Sequence, residues 1–208
     1  MLIVVFGVDG SGKSSYIDFL ETHFKKLKKS TKRIDPMQNG LLVSKLKYYA
    51  LEHNINDISK FYPPSVVSEC YALDMLLNIN LNNRTKNEII ISHRYDICCK
   101  VYGNISGANV GILDKLCSTL PKPDLWIYID IEPKIAMNRI LENRNVLSWK
   151  ENVQMIEKAK KIYSYYLQLI PKEKLIILNN NVASNQMDDN YNYLACKIGE
   201  LLHIDDKL

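Results

Sequence analysis

A chain of 208 residues is long enough for one well-buried domain. Its 47% apolar and 24% charged residues argue against a disordered or low-complexity chain. The mild net charge of +4, and the lack of any apolar run near the roughly 18 residues of a membrane span, point away from nucleic-acid polymers and membranes as partners.

The chain opens on the apolar run Leu2–Phe6, a strand buried on both faces. Directly after it come Gly7, Val8, Asp9, Gly10, Ser11, Gly12, Lys13 and Ser14, the spacing G-x-x-x-x-G-K-S, followed by Ser15. Glycines at this spacing let consecutive amides turn inward as an anion-binding nest, and the next helix adds its positive end. Residues 7–15 are therefore the candidate phosphate cradle, with Lys13 on the β- and γ-phosphates and Ser14 offering a hydroxyl to Mg²⁺. Tyr16, Ile17, Leu20 and Phe24 repeat at helical spacing and predict a helix over about 13–29. Lys25, Lys26, Lys28, Lys29, Lys32 and Arg33 cluster at and after its end. No aromatic residues interleave them for base stacking, so they read as a solvated helix end at its favourable pole.

A strand is expected at about 32–35, ending at Pro36. Helices follow at about 41–53 and 64–82, then a strand at Glu88–Ser92 and helices at 96–102 and 108–119. Leu125–Ile131 is a further strand, followed by helices at 132–143 and 149–170. Leu175–Asn179 is the last strand, before a polar surface loop (179–185) and a closing helix at about 187–203. Strand alternating with helix, with no long linker or repeat, predicts a single three-layer α/β domain over residues 1–208. The five cysteines (70, 98, 99, 117, 196) are odd in number and form no C-x-x-C. They read as small buried thiols in a reducing, cytoplasmic setting rather than as a disulfide framework or a zinc site.

Ligands in such sheets gather at the carboxyl ends of the strands. There stand the glycine loop, Asp35-Pro36, His93-Arg94-Tyr95 and Asp130-Ile131-Glu132-Pro133, the last followed by Arg139 and Arg144. Charge at three strand ends beside a phosphate cradle is more than coincidence gives. The absence of an N-K-x-D stretch argues against a guanine-nucleotide switch.

From residue 2 to about 180 the chain resembles the thymidylate kinase family of P-loop nucleotide kinases. The resemblance rests on Asp9 at the third position of the loop, Asp35-Pro36, Arg94-Tyr95 with Tyr102, and Pro121-Lys122-Pro123-Asp124. Glu132-Pro133 with Ala136 and Arg139, and Tyr166-Leu167-Gln168-Leu169, complete it. It implies a P-loop kinase fold with a mostly five-stranded parallel sheet, flanking helices and a short lid at about 140–150. It also implies ATP and Mg²⁺ as cofactors, a nucleoside monophosphate, dTMP first, as acceptor, and a homodimer.

Arg94 would bridge donor and acceptor phosphates, or else be a surface arginine paired with a carboxylate. Arg139 and Arg144 would be lid cations, Arg139 alternatively a helix-surface residue. Asp9 would meet the acceptor sugar, or the metal shell through water. Tyr71 would stack on the acceptor base, or simply be core. Asp35, Met75, Tyr95 and Tyr102 complete the acceptor side.

Three positions depart from the family pattern at the acceptor or metal end. Phe6 replaces a glutamate before the first glycine, Met75 replaces the arginine that clamps the acceptor monophosphate, and His93 replaces an aspartate. The lid is also short and lacks a second Asp-Arg pair. His93 either hydrogen-bonds an acceptor oxygen or metal-bound water, joining the catalytic group, or is a packed histidine. A different nucleotide, a nucleoside or small metabolite as acceptor, or an impaired ATP-binding paralogue, are the alternatives the departures leave open.

Overall fold

The computed structural model describes residues 1–37, 40–81, 88–144, 147–148, 150–181 and 187–202. Five strands, β1 (Leu2–Phe6), β2 (Thr31–Ile34), β3 (Ile89–His93), β4 (Leu125–Asp130) and β5 (Leu175–Asn179), form one parallel sheet in the order β2-β3-β1-β4-β5. The sheet is packed by α1 (Lys13–Lys26), α2 (Leu41–Glu52), α3 (Pro64–Leu81), α4 (Asp96–Ser106), α5 (Val110–Cys117), α6 (Pro133–Asn143), α7 (Val153–Leu167) and α8 (Met187–Leu202).

The two faces follow from the period of two in β1. Leu2, Val4 and Phe6 pack into a cluster with Tyr95, Ile97, Cys98, Tyr128, Ile156 and Tyr163. Ile3 and Val5 pack on the other side with Tyr16, Ile17, Leu20, Phe24, Leu194 and Ile198. Phe6 itself is fully buried against the rings of Trp126, Tyr128 and Tyr163, so the position before the first glycine is a core position here. Because β1 sits between β3 and β4, their C-terminal ends meet at one edge. The crevice where strand order reverses lies there.

Element ends differ from the sequence pattern where caps decide. α1 stops at Lys26 because Lys28 takes a left-handed conformation. α4 runs to Ser106, past the expected 102, and closes on left-handed Gly107. α7 starts at Val153 rather than 149, since the Asn152 side chain accepts from the Met155 amide as an N-cap. Residues 145, 146 and 149 of the expected lid, and 182–185 of the expected polar loop, lie outside the described residues. No helix among the described residues is long and apolar enough to cross a membrane.

α2 has Gly40 at its N-cap and so no side-chain cap of its own. Asp74 from α3 supplies one instead: Oδ1 accepts from Leu42 N and Oδ2 from Val43 N, both at 2.9 Å. Asp74 is 1% exposed, and a Cβ on Gly40 would fall 2.0 Å from its carboxylate. Two charge-assisted bonds at a helix start contribute about 2–3 kcal/mol and tie α2 to α3.

Candidate active site

The glycine loop is wedged between the ends of β4 and β5 and the start of α6. Gly10 has φ 79°, and a Cβ there would lie 2.3 Å from the Ala136 carbonyl. Gly12 has φ 90°, and a Cβ there would lie 2.6 Å from the Asn180 amide nitrogen. Only glycine satisfies both the backbone angle and the close approach.

Val8 and Ser11 are buried, and the Ser11 hydroxyl has no hydrogen-bond partner among the described residues. Lys13 is the first residue of α1 and is buried. Its Nζ donates to the Val8 carbonyl at 2.6 Å and stands 3.9 Å from Asp9 Oδ1. Ser14 and Ser15 follow, exposed at the helix N-terminus.

Asp9 is the hub of the site. Arg94 pairs with its Oδ1 and Lys150 with its Oδ2, the latter at 2.9 Å. Burial pushes the Asp9 carboxyl up, but Arg94, Lys13 and Lys150 together hold it well below the usual carboxylate range. Each oxygen thus faces a cation in this structure. The exposed Ser14 hydroxyl fits as a Mg²⁺ ligand beside phosphate oxygens.

Arg94 is set in place by its own backbone. Its φ is 72°, a left-handed conformation costing on the order of 1 kcal/mol. Bonds from Arg94 N to Val5 O and from Ser92 Oγ to Arg94 O hold it there. Burial is the largest influence and opposes its charge, but Asp9 together with Tyr102, Cys98 and Tyr163 outweighs it, and the guanidinium stays protonated.

Lys150 was not among the sequence candidates. Its ammonium lies 4.7 Å above the ring of Tyr102, and its pKa is lowered by burial. Its signal in the sequence is a lysine at the end of the expected lid. Tyr102 sits against Asp9, with burial pushing its hydroxyl up. Tyr71 is partly buried within electrostatic reach of Arg94, and burial raises it too. Asp9, Lys13, Arg94, Tyr71, Tyr102 and Lys150 therefore form one group.

The two lid arginines separate. Arg139 Nη2 donates to the Asn180 carbonyl at 3.1 Å, and Nη1 lies 3.9 Å from where a Gly12 Cβ would be, so it flanks the loop. Arg144 instead pairs with Glu151 within the lid. Glu151 is 2% exposed and also accepts from Ser148 N at 2.7 Å.

Three acceptor-side expectations are corrected. Met75 is fully buried in the core cluster. Tyr95 is 1% exposed; its hydroxyl donates to the Pro121 carbonyl and its ring packs on Trp126, facing the core. Asp35 does not stand open at its strand end: Oδ2 bonds His93 Nδ1 at 2.7 Å and Oδ1 accepts from Met37 N. Burial lowers the His93 pKa despite this carboxylate, and Nε2 is buried and unpartnered among the described residues.

The buried Lys13 is pushed down to about 8, burial outweighing Asp9. A phosphate replacing Val8 O favours the charged form, so binding takes up a proton once the free protein has lost one. Triphosphate affinity is therefore expected to fall as pH rises above 8, approaching about tenfold per unit. Isothermal titration with ATP between about pH 7 and 9.5 checks this, and a flat profile would show that Lys13 does not reach the phosphates.

The family model for thymidylate kinase matches residues 5–190. A probable thymidylate kinase of Pyrobaculum aerophilum is 29% identical over 164 residues, covering 77% of this chain and 80% of the relative. The thymidylate kinase of aster yellows witches'-broom phytoplasma is 26% identical over 99% of this chain and its own full length. That of Buchnera aphidicola is 27% identical over 90% of this chain and 91% of the relative.

Proposed function

The chain belongs to the thymidylate kinase family, and from that premise we propose that it transfers the γ-phosphoryl group of ATP to dTMP, giving dTDP and ADP. The observation that carries the reading is the cluster of Lys13, Arg94 and Lys150 around the single carboxylate of Asp9, beside a glycine cradle. Three cations against one anion leave an excess of positive charge, which suits a transfer whose demands are positioning and charge neutralisation.

In the mechanism, the loop amides and the N-terminus of α1 receive the donor phosphates. Lys13 exchanges the Val8 carbonyl for phosphate oxygens. Arg94, already fixed by its backbone, faces both phosphoryl groups, and Lys150 adds charge from the lid. Mg²⁺ held by Ser14, when bound, neutralises phosphate charge. Tyr71 and Tyr102 border the acceptor.

A second reading, a nucleoside in place of the monophosphate, is favoured by one observation: buried Met75 supplies no cation where the family resemblance places an arginine. ADP release measured with dTMP, thymidine and other nucleoside monophosphates separates the two. The expected result is turnover of dTMP with kcat/KM at least about tenfold above thymidine, the value of one charge-assisted contact to the monophosphate. Turnover of thymidine without dTMP would replace the acceptor assignment and leave the donor site standing.

Homodimerisation, expected from the family, is part of this proposal. Val66, Leu73 and Leu77 of α3 are exposed at helical spacing, a stripe a second copy would cover. Light scattering is expected to give twice the chain mass, and a monomer at micromolar concentration would end the idea.

A further inference from the structure

We propose that Asn180 is a positioning residue for the phosphate donor: a buried amide that fixes the peptide of the glycine loop and the guanidinium of Arg139 in one register. Asn180 follows β5 and is 0% exposed, although Asn179-Asn180-Asn181 reads in sequence as solvated loop. Its four polar groups are all used. The backbone N–H donates to Asp130 O at 2.8 Å, and the backbone carbonyl accepts from Arg139 Nη2 at 3.1 Å. Nδ2 donates to Ser11 O at 2.7 Å, and Oδ1 accepts from the Tyr16 hydroxyl at 3.4 Å. The orientation of the amide is settled by chemistry: the Ser11 carbonyl can only accept, so nitrogen must face it.

The neighbours hold this amide in turn. Asn190 Nδ2 donates to the Tyr16 hydroxyl at 2.9 Å and to Asn179 O at 2.8 Å. Asn181 Oδ1 accepts from Glu132 N at 2.6 Å, tying the same turn to the start of α6. The clasp thus joins β5, the glycine loop, α1 and α6.

The consequence for the donor follows from peptide geometry. In a trans peptide the carbonyl and the next N–H point in opposite directions. Holding the Ser11 carbonyl outward on Asn180 turns the Gly12 N–H inward, where an anion nest needs it. Released, that peptide could rotate and present a lone pair to the phosphate. The same residue keeps Arg139 beside Gly12, so one side chain and its carbonyl set two parts of the donor site. An aspartate would keep the shape, but it would turn a carboxylate oxygen towards the Ser11 carbonyl and put negative charge against the donor phosphates.

The inference rests on the phosphoryl-donor reading above; its first measurement, ATP binding, needs no acceptor, and the acceptor KM serves as its control. Isothermal titration of ATP is run on folded wild type, Asn180→Asp, Asn180→Ala and Tyr16→Phe, with circular dichroism melts beside it. Steady-state KM for both substrates follows. Asn180→Asp is expected to weaken ATP about thirtyfold or more and Asn180→Ala about tenfold, with the acceptor KM within about threefold of wild type. Tyr16→Phe, which loses the long contact to Asn180 and the Asn190 bond but leaves Asn180 Nδ2 on Ser11 O, is expected to change ATP affinity by about twofold.

ATP affinity within threefold of wild type in folded Asn180→Asp and Asn180→Ala would overturn the proposal, as would an equal loss for both substrates. If Asn180→Asp does not fold, Asn180→Ala decides. Loss of the fold in both would assign the residue to the core and overturn the positioning role. Wild type that binds no ATP would overturn the donor reading and this inference with it, whereas wild type that binds while the variants match it overturns the inference alone.

Discussion

Lys13→Ala is expected to lower turnover about a hundredfold or more while the protein stays folded. The side chain donates to the Val8 carbonyl and is buried beside a carboxylate that already has two other cations. Removing it therefore leaves Asp9 neutralised by Arg94 and Lys150, and relieves the desolvation that pushes the ammonium down to about 8. The loss falls on the donor phosphates instead, where no other side chain starts the helix. Steady-state turnover and a thermal melt, measured together, check both halves. Retention of more than about a tenth of wild-type turnover in folded Lys13→Ala would displace Lys13 from the donor site.

Arg94→Lys is expected to fail almost as badly as Arg94→Ala, each losing about a hundredfold or more in kcat/KM. A guanidinium can engage Asp9 and still present donors to two phosphoryl groups, because its N–H groups form a planar fork. An ammonium is a point charge on a shorter reach and can serve one partner well. The backbone adds to this. Arg94 is held at φ 72° by bonds to Val5 and from Ser92, so the chain cannot shift to bring a shorter side chain forward. Kinetics of both variants, with a melt to show that each is folded, decide the matter. Near-normal activity in the lysine variant would reduce Arg94 to a general charge effect.

The strands and the glycine loop were legible because each is local. Five apolar residues followed by G-x-x-x-x-G-K-S specify a buried strand, a nest and a helix start without reference to anything distant. What the sequence hid is pairing across the sheet. Asp35 and His93 are 58 positions apart, and meet because Ile34 stands beside Ser92 in the β2–β3 register. Asn180 was hidden for another reason: a solvated asparagine and a buried one are the same letter, and only the carbonyl of Ser11 distinguishes them. Lys150 reads as one more lid cation until Asp9 is seen to receive it, and Arg144 reads as its equal until Glu151 does. Met75 and Tyr95 carry the helical and strand-end positions expected of acceptor contacts, but their side chains turn into the core.

The order β2-β3-β1-β4-β5 also bears on how the molecule fails. Lys13 follows β1 and Arg94 follows β3, and both strands have hydrogen-bonded neighbours on each side, whereas β2 and β5 are edges with partly exposed residues. Native-state fluctuations peel edges first, and the slowest-exchanging amides belong to central strands. The two cations proposed to contact transferring phosphate thus ride on the last part of the sheet to open. The Asn180 clasp follows edge strand β5, so a gently heated molecule would lose the alignment of its glycine loop before it loses its charge.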